Sequence, residues 1–561
     1  MTTDVEILVV GAGPAGLLMA IELSRHGVPY RIIDKNAKPT VEARASNIQP
    51  RTLEVLDSVG IVDQFIAAGI PCRAVATYTP AMERLNHVSF AELDSPFPFG
   101  LSLEQSKTEQ LLIRHLASLG QEVDRGVGLK TFVQDDDGVT AVLDHAGGEE
   151  ETVRAAYLIG CDGAHSTVRH SLGVAFEGRD FPKDFAICDV AVDWHTAVPA
   201  HQTCFFASPE GVLFFTPFAD GRCLFVADVG LGRGDHAPRT APALEELQVI
   251  VNSRTQGAKL RELKWSSYFR AHCRQADRYQ AGRSFLAGDA AHVQTPAGGQ
   301  GMNTGMQDAG NLGWKLGLVL NGCAPTTMLD SYHPERHRAG ANMLVLNDYL
   351  YHVEMNNEVN LPLPQDLRRQ LALFLAGQEV IQQRLVRAVS ELNINYRHSP
   401  IVSQHRGQLP SGDAEPIPHG WHDFGAAPHA GDRATDARLT RYPAGDSVRF
   451  FQVLRSTKHH LVVFVGAEPS EETYQKVQRI VALIMRAHGR TIESHLVVCQ
   501  EAARQELDGC DTLIDARGEL HHRYGARVDC LYLIRPDGYV GFRSQPVEAE
   551  ALESYLGRTF L

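Results

Sequence analysis

The stretch Val5-Glu6-Ile7-Leu8-Val9-Val10-Gly11-Ala12-Gly13-Pro14-Ala15-Gly16 decides the fold of the first part of the chain. Its apolar, β-branched run predicts a buried strand, and a helical pattern over residues 15–26 follows the glycines. A second apolar run at residues 30–33 predicts another strand. The stretch therefore opens a βαβ unit of about 30 residues.

The spacing of the three glycines is typical of a dinucleotide-binding turn. Gly11 permits the tight turn, Gly13 lets a pyrophosphate approach the backbone, and Gly16 lets the helix pack closely on the strand. The helix then points unpaired amides at the phosphates. Asp34, at the end of the second strand, is placed to accept hydrogen bonds from a ribose. Dinucleotide binding is the favoured interpretation, and a glycine turn that only packs is the alternative.

Two later segments place acidic residues at the ends of buried strands. The first runs from Leu158 into an Asp162-Gly163 turn, and the second runs from Phe285 into Gly288-Asp289. A glycine-rich stretch at residues 296–301 follows the second segment and precedes a helical pattern at residues 303–320. The start of that helix favours negative charge. A helix cap without a ligand is the alternative for this segment.

In this order the three motifs resemble those of the single-component flavin-dependent aromatic hydroxylases, of the para-hydroxybenzoate and phenol hydroxylase type. The resemblance covers residues 1 to about 395. Past them, residues 431–434 and 535–539 resemble the branch of the family with a thioredoxin-like C-terminal domain. The fold class implied is α/β and α+β: a glutathione-reductase-like Rossmann FAD domain, a mixed-sheet substrate domain and a thioredoxin-like domain.

The resemblance implies bound FAD and transient NAD(P)H. It assigns the ribityl hydroxyls to Asp289, the flavin face to Pro296 and the pyrimidine end of the ring to backbone amides at Met302 and Asn303. The cofactor-binding residues expected in full are Gly11, Gly13, Pro14, Ala15, Gly16, Asp34, Lys35, Arg44, Gln105, Asp162, Asp289, Pro296, Gly299, Gly301, Met302 and Asn303.

Three of these assignments have structural alternatives. Arg44 resembles an arginine near the cofactor phosphates but also fits an ordinary surface arginine, and Gln105 fits a polar helix start as well as a contact to the phosphate side of the flavin. Asp162 is expected to support the cofactor domain and the use of NAD(P)H, or only to cap a turn.

The substrate side is predicted to be a dry cavity with aromatic walls. Residues 203–207 and 212–217 correspond to the substrate-facing sheet of the family, and alternation along a strand lets one parity face the cavity. Phe205, Phe214 and Thr216 are the substrate contacts expected by that register, and ordinary core packing is the alternative. No catalytic base can be named from the sequence.

The resemblance implies hydroxylation of a phenolic or polyketide-like aromatic substrate by O2 through a flavin C4a-hydroperoxide. An FAD-dependent epoxidase or a hydroxylase of a non-aromatic substrate carries the same three motifs. A non-catalytic flavin- or ligand-binding protein is the alternative outside catalysis. No second clean GxGxxG follows a strand, which argues against a separate nicotinamide-binding domain.

Composition excludes several classes of partner. With 53 Lys and Arg against 67 Asp and Glu, the net charge of −14 disfavours nucleic acid and anionic membrane surfaces. The ten cysteines form no CxxC pair, so neither a disulfide framework nor a metal site is expected. With no basic leader and no long apolar run, the expectation is a cytoplasmic monomer or homodimer.

The 561 residues imply several structural units, and the motifs divide them. We expect a discontinuous FAD-binding domain at residues 1–75, 101–180 and 275–355, with a substrate-binding sheet at 76–100 and 181–274. A helical completion at 356–395, a Pro/Gly-rich linker at 396–446 and a thioredoxin-like domain at 447–561 follow. An ordered wrapping segment is the alternative to a free linker.

Overall fold

The fold is described from a computed structural model of the chain. The structure describes residues 2–41, 45–194, 201–208, 210–231, 240–351, 379–407, 422–467, 469–499 and 507–561. Among these residues, no helix is both long and apolar enough to cross a membrane. Arg44 and much of the predicted helical completion lie outside the described residues.

The first 171 residues contain both strands and helices. They are β1 (Thr2–Val10), α1 (Pro14–Arg25), β2 (Tyr30–Asp34), β3 (Asn47–Ile48), α2 (Pro50–Val59), α3 (Val62–Ala68), β4 (Ile70–Cys72), β5 (Ala74–Tyr78), β6 (Arg84–Ser89), β7 (Gly100–Ser102), α4 (Gln105–Ser118), β8 (Asp124–Arg125), β9 (Val127–Gln134), β10 (Val139–His145), β11 (Glu150–Gly160) and α5 (Thr167–Ser171).

Long strands dominate the middle of the chain. They are β12 (Phe176–Trp194), β13 (Gln202–Ser208), β14 (Gly211–Pro217), β15 (Arg222–Leu231), then α6 (Leu244–Asn252), β16 (Ala258–Ala276), β17 (Gln280–Ala281), β18 (Ser284–Leu286) and β19 (His292–Val293). Short 3-10 turns at Gly288–Ala290 and Ala297–Gly299 flank β19.

Helices follow, and then a second α/β region. They are α7 (Gly301–Leu320), a 3-10 turn (Thr326–Ser331), α8 (Tyr332–Leu350), α9 (Glu379–Val389), β20 (Ser403–Arg406), β21 (Arg438–Tyr442), β22 (Ser447–Arg449), α10 (Phe450–Val453), β23 (His459–Phe464), α11 (Glu471–His488), β24 (Ile492–Val498), β25 (Cys510–Ile514), α12 (Glu519–Tyr524), β26 (Cys530–Ile534), β27 (Val540–Gln545) and α13 (Ala549–Thr559).

The first sheet contains the predicted βαβ unit. Its strand order is β17-β18-β11-β1-β2-β8, with β9 and β10 continuing from β11. β1 lies between β11 and β2 and is parallel to both. Ile7, Leu8 and Val9 are completely buried, as expected for a central parallel strand covered on both faces.

Helix α7 packs against α1 through glycines. A side chain at Gly313 would collide with Glu22, and one at Gly317 would collide with His26. Because these positions carry hydrogen only, the two helices approach closely. The N-terminus of α7 is thereby fixed beside the turn that follows β1.

The second sheet separates two cores. Its order is β19-β16-β12-β15-β14-β13-β5-β6. Phe206 and Phe215 pack in the core on one face, whereas Phe205 and Phe214 pack at the edge of the core on the other face. The alternation predicted for β13 and β14 is therefore present.

The third sheet has the order β20-β27-β26-β23-β24-β25-β21-β22. Strands β23, β24 and β25 are parallel, and β26 and β27 run antiparallel as a hairpin around Asp537-Gly538. Two of its strands, β20 and β21, come from residues 396–446, where Tyr396 and Ala434 are buried. The thioredoxin-like identity of this region stays a prediction.

A buried ionic cluster joins the third sheet to the first part of the chain. Arg535 donates to both carboxylate oxygens of Glu335 on α8, at 2.7 and 2.9 Å. Lys315 on α7 and Ser399 donate to the same carboxylate at 2.8 and 2.6 Å. Burial alone would raise the pKa of Glu335, but Arg535 and Lys315 hold it well below its usual value. The carboxylate is therefore ionised and fully paired.

We expect Glu335→Gln to destabilise the protein by about 3–5 kcal/mol, because Arg535 and Lys315 would stay buried beside a neutral amide. Thermal unfolding followed by circular dichroism should show a midpoint several degrees lower. Asp135→Asn removes an exposed ion pair with Arg154 and should leave the midpoint unchanged. Equal midpoints for Glu335→Gln and the wild type would contradict the assignment.

Candidate active site

A cavity of about 720 Å³ lies between the first two sheets. The turn after β1 borders it at Gly13, Pro14 and Ala15, and residues 287–302 form a second wall. Strands of the second sheet and helix α9 close the other side. Its volume is in the range of small-molecule and cofactor sites.

The three glycines of the turn play different roles in the structure. Gly11 has φ +100°, and a side chain there would collide with the backbone of Cys161. A side chain at Gly16 would collide with the carbonyl of Gly11. At Gly13, by contrast, a Cβ would meet no protein atom within 4 Å. Gly11 and Gly16 are needed for packing, whereas Gly13 leaves open space at the start of α1.

Asp34 holds the glycine turn and does not border the cavity. Its Oδ2 accepts a hydrogen bond from the amide of Ala12 at 2.8 Å, and its Oδ1 accepts one from the amide of Asn36 at 2.8 Å. Arg125 lies 3.8 Å from Oδ2. Lys35 is exposed beside it. Ribose binding by this carboxylate stays a prediction.

Gln105 borders the cavity at the start of α4. Its Nε2 donates to Glu109 at 3.0 Å, one turn further along the helix. Burial raises the pKa of Glu109 to about 6. The hydrogen bond fixes the orientation of the Gln105 amide at the cavity wall.

Asp162 lies beside the start of helix α5, whose N-cap is Ser166, and does not border the cavity. It accepts hydrogen bonds from the hydroxyl of Ser166 at 2.6 Å and from the amide of Val168 at 3.2 Å. Cys161 and Gly163, on either side, do border the cavity. These contacts describe the capping alternative, and a role in the use of NAD(P)H stays a prediction.

The segment from Asp289 to Asn303 forms one wall of the cavity. Asp289, Pro296, Gly299, Gly301 and Met302 border it. The amide of Thr304 donates to Gln300, so the amides of residues 301–303 precede the first hydrogen bond of α7. The N-terminal end of the helix is therefore directed toward the cavity.

Asn303 is completely buried and shapes the wall from behind. Its side chain accepts a hydrogen bond from the amide of Gln49 at 2.8 Å. It donates to the carbonyls of Asn47 and Gly299 at 2.8 and 2.9 Å. The side chain thus joins residues 47–49 to the glycine-rich loop.

A buried triad behind this wall was not foreseen from the sequence. Asp308 on α7 accepts hydrogen bonds from Arg336 at 2.7 Å and from the amide of Gly288 at 3.0 Å. His292 Nε2 lies 2.8 Å from the same carboxylate. Burial opposes ionisation, but Arg336 and His292 lower the pKa of Asp308. Since its members come from three separate segments, no local pattern reveals the triad.

Glu391 forms a second buried contact with α7. The hydroxyl of Thr304 donates to it at 3.0 Å, and Gln307 Nε2 donates to its other oxygen. Burial raises the pKa of Glu391 to about 8. At neutral pH this side chain is therefore mainly protonated.

The second sheet supplies the aromatic walls. Phe205 and Phe214 border the cavity, with ring centroids 5.1 Å apart. Thr216 is fully buried and does not border it. Trp265, Phe269 and Cys72 also line the cavity but were not identified from the sequence, and Thr203 borders it within the predicted segment 203–207. Sequence register alone does not reveal the contributions of β4 and β16.

A separate histidine cluster lies in the third sheet. His460 Nδ1 is 2.9 Å from His495 Nε2, and Glu493 is 3.8 Å from His460. Among the described residues, these three side chains form the group whose potential ligand atoms lie close enough together to hold a metal ion. The 2.9 Å separation is that of a hydrogen bond between the rings, and Lys458 lies 3.7 Å from the Glu493 carboxylate. These contacts account for the cluster without a metal.

Comparison with known proteins identifies relatives for this arrangement. The family model described as FAD binding domain matches residues 4–346. Rifampicin monooxygenase of Streptomyces venezuelae is 36% identical over 403 residues, covering 70% of this chain and 79% of that protein.

A second curated relative spans nearly the whole chain. 6-Methylpretetramide 4-monooxygenase of Streptomyces rimosus is 31% identical over 551 residues, covering 96% of this chain and 91% of that protein. The solved structure of anhydrotetracycline hydroxylase from Streptomyces rimosus has a TM-score of 0.70 and 26% identity, covering 100% of this chain and 99% of that one.

Alanine substitutions at two glycines should separate cofactor binding from folding. Gly13→Ala adds a methyl group to open space, so the unfolding midpoint of the FAD-free protein should not change, while FAD should bind roughly ten- to a hundredfold more weakly. Gly16→Ala should lower the unfolding midpoint, because its methyl group meets Gly11. Fluorescence titration of FAD and thermal unfolding measure the two effects. Unchanged FAD affinity in Gly13→Ala would contradict the assignment.

The buried carboxyl group of Glu391 predicts a pH effect on stability. The pKa of Glu391 is higher in the folded protein than in the unfolded chain, so the protonated carboxyl group stabilises the folded protein. This contribution to stability is fully present below the pKa of an ordinary glutamate, and it is lost as the pH rises through about 8. Glu391→Gln is neutral at every pH, and Gln307 Oε1 has no hydrogen-bond partner among the described residues and can accept from the new amide.

We therefore compare the unfolding midpoints of Glu391→Gln and the wild type. The midpoint of Glu391→Gln minus that of the wild type should increase as the pH is raised from about 5 to about 9. The exposed substitution Glu83→Gln is the matched control and should give a constant difference. Parallel curves for Glu391→Gln and the wild type would show that Glu391 is ionised throughout this range.

Proposed function

This chain belongs to the FAD-binding domain family, and we propose that it is an FAD-dependent monooxygenase that uses NAD(P)H and O2 to hydroxylate an aromatic substrate. The observation that carries the proposal is the single cavity in which the glycine turn, the N-terminus of α7 and the aromatic walls of the second sheet meet. The curated relatives described above are monooxygenases.

The residues present fit FAD. The open space at Gly13 accommodates a pyrophosphate, whereas Gly11 and Gly16 leave no such space. Buried polar atoms at the cavity wall, namely Asn47 Oδ1, Gln49 Oε1 and both amide atoms of Gln294, have no hydrogen-bond partner among the described residues. Buried polar atoms without partners are uncommon, and a bound ligand can supply such partners.

The chemistry that bound FAD supplies is acceptance of a hydride from NAD(P)H and transfer of one oxygen atom of O2 to the ring, with the other oxygen leaving as water. The protein supplies position and environment. Asp289 would hold the ribityl chain and Pro296 would lie over the flavin. Amides at residues 301–303 would favour negative charge on the reduced ring.

Water exclusion is the second contribution of the protein. The aromatic and aliphatic side chains of Phe205, Phe214, Trp265, Phe269 and Val226 surround the substrate end of the cavity. An apolar wall keeps water from the oxygen-transferring centre, and this limits loss of the oxidant as peroxide. The apolar end of the cavity also suits a fused or bulky aromatic ring. We therefore propose a phenolic or polyketide-like substrate.

We propose that NAD(P)H binds transiently, because the sequence contains one glycine turn of the dinucleotide type at Gly11–Gly16. O2 is proposed as the second co-substrate. A monomer or homodimer in the cytoplasm remains our expectation for the assembly and location of the protein.

The purified holoprotein tests this function directly. We expect yellow protein, NAD(P)H oxidation stimulated by members of a phenol panel, and a product one oxygen atom heavier by mass spectrometry. A colourless protein that cannot be reconstituted with FAD would refute the proposal. Peroxide formation with every phenol and no hydroxylated product would refute aromatic hydroxylation.

Asp289→Ala tests the flavin end of the cavity. Removing the carboxylate should cause loss of bound FAD during gel filtration, because the ribityl hydroxyls lose an acceptor. Asp330→Ala, at an exposed aspartate, is the control and should retain the wild-type FAD content. Full retention of FAD by Asp289→Ala would show that the carboxylate does not hold the cofactor.

A further inference from the structure

A second cavity, of about 970 Å³, lies on the other side of helix α9 from the active-site cavity. Residues 91–95, which follow β6, and parts of the C-terminal region form its walls. On α9, Leu385 and Val389 border the active-site cavity, whereas Arg387 borders the second cavity. Two residues span about 200° around an α-helix, so Arg387 lies on the face of α9 opposite Leu385 and Val389. The helix therefore separates the two cavities.

Arginine is the commonest charged residue around this second cavity, which we call the arginine cavity. The arginines that border it are Arg387, Arg397, Arg433, Arg438, Arg449, Arg517 and Arg523. The carboxylates that border it are Glu92, Asp94, Asp432, Asp436 and Glu519. Seven arginines against five carboxylates give the described wall an excess of two positive charges, although the chain carries −14. A local excess of this sign attracts anions.

Two of the carboxylates bind arginines of the same wall. Arg397 donates from Nε and Nη2 to the two oxygens of Asp432, at 2.6 and 2.7 Å. Arg449 Nε donates to Asp436 Oδ2 at 2.5 Å. Asp436 is buried. These pairs hold Arg397 and Arg449 at the cavity but leave no carboxylate of their own for a further arginine.

Asp94 joins two more arginines across the cavity wall. Arg523 Nη1 donates to Asp94, and Arg433 Nη2 lies 3.6 Å from the other oxygen of the same carboxylate. Arg523 also donates to Glu519, at 2.9 Å. The side chain of Arg433 is only 4% exposed. The wall that these residues form is therefore fixed by ion pairs between residues 91–95 and the C-terminal region.

The remaining three arginines have no partner among the described residues. Arg387, Arg438 and Arg517 are exposed and form neither a hydrogen bond nor an ion pair there. Glu92, the remaining carboxylate, accepts a hydrogen bond from Gln383 at 2.6 Å. The unpaired charges around the cavity are therefore mainly positive.

The register of β21 and β22 places two arginines side by side. Arg438 lies directly opposite Arg449 in this antiparallel pair. Side chains at such positions are close neighbours, and like charges there are destabilising. Asp436 binds Arg449 but forms no ion pair with Arg438. An anion bound beside the two guanidinium groups would remove this repulsion.

The chemistry of this wall favours phosphate as the anion. Guanidinium groups bind phosphate oxygens through parallel, charge-assisted hydrogen bonds. None of the described residues that border the cavity is Phe, Tyr or Trp, so the described wall offers no such ring for stacking against a nucleobase. The volume is in the range of small-molecule sites. These features favour a ligand that is recognised by its phosphate groups.

We propose that the arginine cavity is a second binding site, which takes up a phosphorylated small molecule through Arg438 and Arg517. The paired arginines of the wall add positive potential around the ligand. This site is separate from the active-site cavity and does not depend on the proposed function. Its phosphate groups belong to a separate phosphorylated ligand or to NAD(P)H, and the test distinguishes these two sources.

Calorimetric titration of the FAD-loaded protein with pyrophosphate tests the site, because pyrophosphate has two phosphate groups and no ring. The wild type should bind it. Arg438→Gln and Arg517→Gln should each bind it about tenfold more weakly, through the loss of a charge-assisted hydrogen bond. Neither arginine has an ion pair among the described residues, so both variants should keep the unfolding midpoint of the wild type.

Arg486→Gln is the matched control. Arg486 is an exposed arginine of α11 that does not border the arginine cavity, so its loss changes the net charge equally. This variant should bind pyrophosphate as the wild type does. FAD absorbance that stays constant during the titration shows that pyrophosphate does not displace the cofactor from the glycine turn.

Repeating the titration in saturating NADP+ identifies the source of the phosphate groups. Competition would assign the cavity to the phosphates of the dinucleotide, and unchanged affinity would assign it to a separate ligand. A wild type that does not bind pyrophosphate, or equal affinity in the wild type, Arg438→Gln and Arg517→Gln, would overturn the proposal. A chain that cannot bind FAD would refute the proposed function, whereas pyrophosphate binding that depends on both arginines would still support this site.

Discussion

The close packing of helix α7 on α1 is the constraint on which the candidate site depends. Gly313 and Gly317 let the two helices approach, because any side chain at these positions would collide with Glu22 or His26. This contact sets the N-terminus of α7 beside the turn that begins α1. Two helix N-termini thus share one cavity, and both favour negative charge there.

The charges buried along α7 explain why the third sheet belongs to the framework of the site. Asp308 joins α7 to Gly288 and to Arg336 of α8. About two turns further along α7, Lys315 joins the helix to Glu335, whose carboxylate also binds Arg535. Paired in this way, the buried charges connect α7 with α8 and with the third sheet. The C-terminal region thereby supports the helix that faces the cavity.

The cavity itself divides its tasks between two sheets. The first sheet contributes backbone features, namely tight glycine turns and free amides, which suit phosphates and a flavin. The second sheet contributes side chains, mostly aromatic, among them Phe205, Phe214, Trp265 and Phe269. One wall of the cavity is therefore polar backbone and the other is apolar side chain.

The sequence by itself determined the elements whose signal is local. The turn at Gly11–Gly16, the Gly288-Asp289 segment, the hairpin at Asp537-Gly538 and the parity of Phe205 and Phe214 each follow from neighbouring residues. In each case, short-range sterics and side-chain alternation fix the outcome within a few residues.

Only the tertiary structure decided which distant residues meet. Asp308 with His292 and Arg336, Glu335 with Arg535, and Arg270 with Asp184 are pairs and groups assembled by helix packing and sheet register. In the tertiary structure, Asp34 and Asp162 accept hydrogen bonds from backbone amides, and Thr216 does not border the cavity. Such contacts depend on the complete packing of the chain, and no sequence spacing encodes them.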